Sequence, residues 1–230
     1  MESDAAIVIL LGAGVGRRLG AAEPKALLPI GDRPILAVAA ASAAASPLVR
    51  GLVVTFPRGW EERARACVED LDTEARFVEG GESRQASVRA ALAEVPVTVE
   101  IVAVHDAARP FAPPDLFEEV LEAVGGGADA VIPVLSVTDT VLRVRAAVVQ
   151  GAEPREELAL GQTPQAFRTT ILREAHAKAE AAGASFTDDA SLLRWAGFDV
   201  RAIPGDPANV KITTLADLAQ ADRRMGGGGD

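Results

Sequence analysis

Cysteine is nearly absent from this chain: Cys67 is the only one in 230 residues. One thiol cannot build an internal disulfide framework, and it fits a reducing compartment. Histidine is almost as scarce, with two residues, so a zinc site built from His and Cys has too few ligands. There is no tyrosine, and aromatic residues make up 4% of the chain, too few for an extended platform on which single-stranded nucleic acid could stack. Positive charge is in deficit as well. The 23 Lys and Arg stand against 33 Asp and Glu, and a net charge of −10 disfavours nonspecific nucleic-acid binding, which draws its affinity from phosphate neutralisation. No apolar run is long enough to span a bilayer, and no segment combines a charged start, an uninterrupted apolar stretch and a cleavage site. No Pro/Gly/Ser-rich linker splits the chain. The expectation is a cytoplasmic protein with no nucleic-acid or membrane partner, one domain over 1–225, and a disordered tail at 226–230.

Against that background one stretch stands out, Ile7 to Ile30, IVILLGAGVGRRLGAAEPKALLPI. An apolar strand runs into Gly12, Ala13, Gly14 and Gly16, followed by Arg17, Arg18 and Lys25. A dinucleotide fingerprint starting at Gly12 would need glycine where Arg17 stands, and no Gly-Lys-Ser/Thr follows to make a P-loop. Glycines with cations just beyond them remain a good phosphate cradle. The backbone can approach closely, its N–H groups donate to phosphate oxygens, and Arg18 and Lys25 neutralise the α-phosphate and a departing pyrophosphate. A local cluster of this kind acts on a small phosphorylated ligand despite an unfavourable distant field.

Apolar strands alternate with helical patterns. Strands are expected at Ile7–Leu11, Gly51–Phe56, Ala75–Val78, Val99–Val104 and Ala130–Val134. Helices are expected at Pro34–Ala45, Glu61–Leu71, Ser83–Ala93 and Pro114–Val124. The pattern then breaks. Thr140–Val144 and Ala147–Gln150 read as a hairpin or arm within 136–151. Helix returns at Thr169–Ala182 and near Ser191–Trp195, a strand follows at Phe198–Ile203, and Thr213 or Thr214 caps a last helix to Arg223. The class this predicts is a three-layer α/β sandwich, Rossmann-like, with a mostly parallel sheet and an inserted antiparallel β-arm. Ligands of such folds bind beyond the C-terminal ends of the strands, so polar clusters at those ends are the candidates.

Gly80-Gly81-Glu82-Ser83-Arg84-Gln85-Ala86-Ser87 precedes a helix; Ser83 or Ser87 is placed to cap it or to touch a base or ribose. Asp106 and Arg109 follow the strongest strand. Asp106 can hold Mg²⁺, the metal suited to carboxylates and substrate phosphates, and Arg109 can reach a phosphorylated acceptor, or the two can form a structural ion pair. His105 is expected to anchor the loop. Thr140, Arg155 and the segment Gln162–Phe167 bring hydroxyls and an arginine to the root of the arm, which suits a phosphate monoester. Thr187-Asp188-Asp189 begins a helix, and Lys211 returns to the sheet edge of Asp106.

Taken in order, GAGVGRRL, EPKALLPI, GGESRQASV, VHDAARP, SVTDTV, QTPQAF, TDDASLLRWAG and GDPANVKITT resemble the 2-C-methyl-D-erythritol 4-phosphate cytidylyltransferase family of nucleotidyltransferases, over roughly residues 7–220. The resemblance implies transfer of a cytidylyl group from CTP to a polyol phosphate with divalent-metal help. It implies that Gly12, Ala13, Gly14, Gly16 and Arg17 hold the CTP phosphates and that Gly81 and Ser87 contact cytosine and ribose. Arg18 and Lys25 would stabilise the pentacoordinate phosphorus, with Lys211 opposite the α-phosphate. Asp106 would organise Mg²⁺ and the acceptor, and Arg109, Thr140, Arg155, Thr163 and Thr187 would bind methylerythritol phosphate. It further implies a homodimer in which the 136–155 arm clasps the second subunit. Two other readings stay open on the residues alone: a related transferase using another acceptor such as ribitol 5-phosphate, and a nucleotide-binding protein without catalysis.

Overall fold

The computed structural model describes residues 6–14 and 23–226. Gly16, Arg17 and Arg18 lie outside the described residues, as does the expected tail beyond Gly226. The elements in chain order are β1 (Ala6–Leu11), β2 (Pro29–Ile30), β3 (Arg33–Pro34), α1 (Ile35–Ala44), β4 (Val49–Phe56), α2 (Glu61–Ala66), β5 (Glu74–Glu79), α3 (Arg84–Glu94), β6 (Ile101–Asp106), α4 (Pro114–Gly125) and β7 (Ala130–Ser136). They continue with β8 (Leu142–Arg145), β9 (Val148–Ala152), β10 (Ala159–Gly161), β11 (Gln165–Arg168), α5 (Thr169–Ala182), α6 (Asp189–Ala196), β12 (Arg201–Pro204) and α7 (Leu215–Gly226).

The short, wholly apolar β1 is explained by burial on both faces. Val8 and Leu10 pack on one side with α1 and α4, through Leu36, Ala40, Phe117 and Val120. Ile9 packs on the other with α3, α5 and α6, through Val88, Leu92, Leu172 and Leu192. β4 and β6 divide their side chains in the same way, so the sheet is the middle layer of three.

The strand order β7–β11–β6–β1–β4–β5 is parallel from β6 through β5. β11 lies antiparallel between β6 and β7, β10 pairs antiparallel with the far part of β7, and β12 pairs parallel with β7. The chain leaves β1 outward through β4 to β5, then crosses back to β6 on the other side of β1. The reversal between β1 and β6 is the topological switch point, where open α/β sheets bind ligands. Leu11 and Asp106 are register partners there, so the glycine loop begins beside Asp106.

Three expectations are corrected. The helix expected to Leu71 ends at Ala66, because Cys67, Val68 and Leu71 bond three residues back and the chain tightens into turns. The strand expected at Phe198–Ile203 starts at Arg201. Gly197, with φ +96°, ends α6, and the Phe198 N–H turns back to donate to the Leu193 carbonyl. The QTPQAF stretch is not simply the return of the arm: Gln165–Arg168 is a buried strand between β6 and β7. Its polar start is accommodated because Gln165 Nε2 donates to the Gln162 carbonyl. A small ladder, β2–β3, also precedes α1, turning at Gly31 with φ +61°.

β8 and β9 form a separate two-stranded ribbon whose residues are all exposed, including Leu142, Val144, Val148 and Val149. No helix of the described residues is long and apolar enough to cross a membrane.

Candidate active site

A cavity of about 610 Å³ opens at the switch point. Its walls are the ends of four neighbouring strands and their loops: Leu11 to Gly14 after β1, Thr55 in β4, Gly81 to Arg84 after β5, and Asp106 at the end of β6. Lys25, Ala26, Ser87, Ala108 and Lys211 complete it.

The glycine loop is held from below. The Gly12 N–H donates to both the carbonyl and the hydroxyl of Thr55, each at 3.1 Å. A Cβ at Gly12 would stand 2.7 Å from that carbonyl, so only glycine lets β1 end this close to β4. Gly80 meets the same loop from the other side: a Cβ there would lie 2.1 Å from Ala13 Cβ. The two glycine segments therefore interlock. Gly81 N–H donates to Ser87 Oγ at 3.1 Å, and Ser87 Oγ donates to the Ser83 carbonyl at 2.9 Å. Ser83 caps α3 by accepting from the Ala86 N–H at 3.0 Å.

Asp106 is the electrostatic centre. Its Oδ2 accepts from Lys211 Nζ at 2.5 Å and its Oδ1 from Arg84 Nε at 3.3 Å. Burial pushes the carboxyl pKa up, but Arg84 and Lys211 outweigh it and hold Asp106 well below the usual carboxylate range. Lys25 sits in a short 3₁₀ turn and donates from Nζ to the Ile212 carbonyl at 3.0 Å, next to Lys211 in sequence. Both lysines line the cavity, as the glycine loop does. The result is an anionic group flanked by cations in a cavity that the glycine loop also lines: a receptacle for a polyphosphate.

The expected acceptor residues do not line this cavity in one chain. The buried Thr163 hydroxyl accepts from the Asp106 N–H at 3.0 Å and contacts His105 Nδ1 at 3.1 Å. Arg109 donates to the carbonyls of Asn209 and Gly161, at 2.8 and 3.2 Å. Thr187 is exposed before α6. Thr140 and Arg155 sit at the exposed root of the ribbon, where Arg155 Nη1 donates to the Thr138 carbonyl at 2.7 Å. His105 is sealed in as expected: its ring tilts against Phe117 at 5.0 Å and its Nε2 contacts the Arg109 carbonyl at 3.1 Å. Burial lowers its pKa to about 4, so it is neutral near pH 7.

Arg84 was the residue that sequence reasoning passed over. It stands between Ser83 and Ser87 in a segment already marked for nucleotide contact, but nothing local shows that its partners are Asp106 and Asp189.

No cluster of three or more His, Cys, Asp or Glu occurs among the described residues. Asp106 and Glu82 are the two carboxylates lining the cavity, and so small a set fits Mg²⁺ in the manner in which substrate phosphates and water supply most of the coordination, and does not fit a metal held by protein alone.

The sheet, the switch-point cavity and its charge pattern are those of a Rossmann-like nucleotidyltransferase. The model of the family described as 2-C-methyl-D-erythritol 4-phosphate cytidylyltransferase matches residues 6–226, and the chain belongs to this family. It is 42% identical over 220 residues to the 2-C-methyl-D-erythritol 4-phosphate cytidylyltransferase of Saccharopolyspora erythraea, covering 94% of this chain and 97% of that protein. It is also 42% identical over 224 residues to the bifunctional enzyme IspD/IspF of Nitratidesulfovibrio vulgaris, covering 94% of this chain and 57% of that longer protein. The chain thus spans a little more than half of its bifunctional relatives. The crystal structure of 2-C-methyl-D-erythritol 4-phosphate cytidylyltransferase from Thermus thermophilus superposes with a TM-score of 0.79 at 35% identity, over 95% of this chain and 98% of that one.

Proposed function

We propose that the protein joins CTP and 2-C-methyl-D-erythritol 4-phosphate to give 4-diphosphocytidyl-2-C-methyl-D-erythritol and pyrophosphate, a step in isoprenoid precursor synthesis in the cytoplasm. The carrying observation is the convergence of the glycine loop, Lys25, Lys211 and Asp106 on one cavity at the switch point. An acceptor phosphate oxygen attacks the α-phosphorus in line, the new P–O bond forms, and the bond to the β-phosphate oxygen breaks. A phosphate monoester is already substantially ionised near neutral pH, so no side chain has to remove a proton. This agrees with the neutral, buried His105. The protein contributes orientation and charge. Gly12 to Gly14, Gly81 and Ser87 seat the nucleotide, and Lys25 and Lys211, with Arg18, stabilise the charge that builds on the phosphates. Mg²⁺, held by Asp106 and phosphate oxygens, would neutralise the triphosphate further.

The acceptor half fits a homodimer. An exposed two-stranded ribbon with apolar side chains is marginal alone, and a second copy covering it would bring Thr140 and Arg155 to a neighbouring cavity. Arg109, Thr163 and Thr187 complete the acceptor side in this reading, Thr163 through its hold on Asp106. The test is pyrophosphate release with CTP and methylerythritol phosphate, with ribitol 5-phosphate and UTP as comparators. Faster turnover with ribitol 5-phosphate would reassign the acceptor, and CTP–Mg²⁺ binding without pyrophosphate release would make the protein a nucleotide binder.

A further inference from the structure

From the wall of the cavity a line of alternating charges runs into the protein. Lys211 meets Asp106, Asp106 meets Arg84, and Arg84 Nη1 donates to Asp189 Oδ2 at 2.6 Å. The second oxygen of Asp189, Oδ1, is 3.1 Å from His176 Nε2 on α5. Asp189 and His176 are both buried and neither lines the cavity. Arg84 reaches the cavity wall, but its Nε and Nη1 are taken by the two carboxylates, and its Nη2 is sealed from solvent with no hydrogen-bond partner among the described residues.

We propose that Arg84 is a positioning residue for the transfer reaction: anchored by Asp189, its fork holds the Asp106 carboxylate in the orientation that meets Lys211 and the incoming phosphates. The inference rests on the reading of the cavity given above. The geometry requires arginine, because a planar fork reaches two carboxylates at once and a lysine ammonium does not hold both in fixed directions. It also gives a buried residue outside the cavity, Asp189, a place in the reaction. The anchor is separable from the fold of this region. Gln85, next on α3, accepts from the Phe186 N–H at 2.9 Å and donates to the Ala184 carbonyl at 3.2 Å, which docks the loop before α6 independently of Arg84.

The experiment compares Asp189→Ala, Asp189→Asn, Arg84→Lys and Arg84→Ala with the unmodified protein in kcat, CTP affinity by calorimetry, and melting temperature. Asp189→Ala should lower kcat about 10- to 100-fold, the size expected for a reacting group displaced by about an ångström, with CTP affinity changed less than threefold. Asp189→Asn, which keeps an acceptor for Arg84, should recover most of that loss. Arg84→Ala and the Arg84→Ala/Asp189→Ala double variant should be equally slow, because the two act as one unit. Should Asp189→Ala fail to fold, Arg84→Lys serves in its place and should show the same fall in kcat. Unchanged kcat in the folded variants, a parallel loss of CTP affinity, or losses that multiply in the double variant would overturn the proposal. If the unmodified protein releases no pyrophosphate with any acceptor, the function assigned above fails on its own. The crystal structure of Asp189→Ala then decides the positioning role: it should show the Arg84 Nε–Asp106 contact broken, and an intact contact refutes it.

Discussion

Gly80→Ala is the sharpest perturbation the cavity offers, because it adds one methyl group and no charge. Gly80 follows β5, and its N–H donates to the Phe56 carbonyl at 2.9 Å. Its φ is not in the left-handed region, so alanine meets no backbone penalty there. The conflict is one of space. The new Cβ would lie 2.1 Å from Ala13 Cβ and 3.0 Å from Ser87 Oγ, where ordinary contact begins at 3.4 Å. Ala13 or the Gly80 segment has to move by about 1.3 Å, and an overpacked core site typically costs about 1–3 kcal/mol. For a domain of this size that corresponds to a fall in Tm of roughly 2–12 °C. Gly12 is pinned to Thr55 by two hydrogen bonds, so the displacement is passed to the Ala13–Gly14 stretch that lines the cavity. Misplacement on that scale costs about 10²-fold in rate, and kcat/KM for CTP should fall accordingly in a pyrophosphate-release assay. Gly125→Ala is the control. It lies at the end of α4, its Cβ would make only an ordinary 3.8 Å contact with Ile101, and both stability and kinetics should hold or improve. A folded Gly80→Ala protein with kcat/KM for CTP within threefold of the parent would refute the interlocked-glycine account.

Three further outcomes follow from the same structure. Lys25→Ala and Lys211→Ala should each lower kcat roughly 10²–10³-fold, as expected when one transition-state donor worth about 3–4 kcal/mol is lost; near-native turnover in both folded variants would remove these cations from the mechanism. Asp217 closes a capping box on α7, accepting from the N–H groups of Thr213 and Thr214 while Thr214 Oγ1 accepts from the Asp217 N–H. Hydrogen bonds from Thr213 lead in lowering its pKa to about 2. The unfolded chain therefore binds the proton more readily, and the stabilisation is complete above about pH 4 and lost as pH falls toward 2. Asp217→Asn should cost roughly 0.5–1 kcal/mol at neutral pH, with the gap from the parent closing toward pH 2 in unfolding titrations. Replacing Leu142 and Val148 by aspartate should shift a dimer toward monomer in light scattering and raise the acceptor KM more than the CTP KM.

Much of this was legible in the chain. An all-apolar β1 running into glycine marks a doubly covered strand and the loop after it, and the bounds of α5 follow from its periodicity alone. Asp106 and Lys211 were placed at one sheet edge by the sequence, though their direct contact was not foreseen. What stayed hidden depends on contacts with no local signature. Arg109 looks like a ligand-facing cation, yet its carbonyl partners lie 52 and 100 residues away. Thr163 sits in a Gln/Thr/Pro-rich stretch that mimics a turn, while its hydroxyl is committed to Asp106. Arg84 resembles any exposed helix residue until α6 delivers Asp189 to it across 105 positions. Pattern rules describe which face a residue takes; they are silent on which distant backbone or carboxylate completes it.

The ribbon has one more consequence. Its two ends are already joined, since the Glu153 N–H donates to the Val141 carbonyl at 2.8 Å. Everything between them can be replaced by a tight turn without cutting a strand of the main sheet. The cavity and the ribbon are thus separate modules on one scaffold, and the second can be lengthened, shortened or traded while the first stays in register.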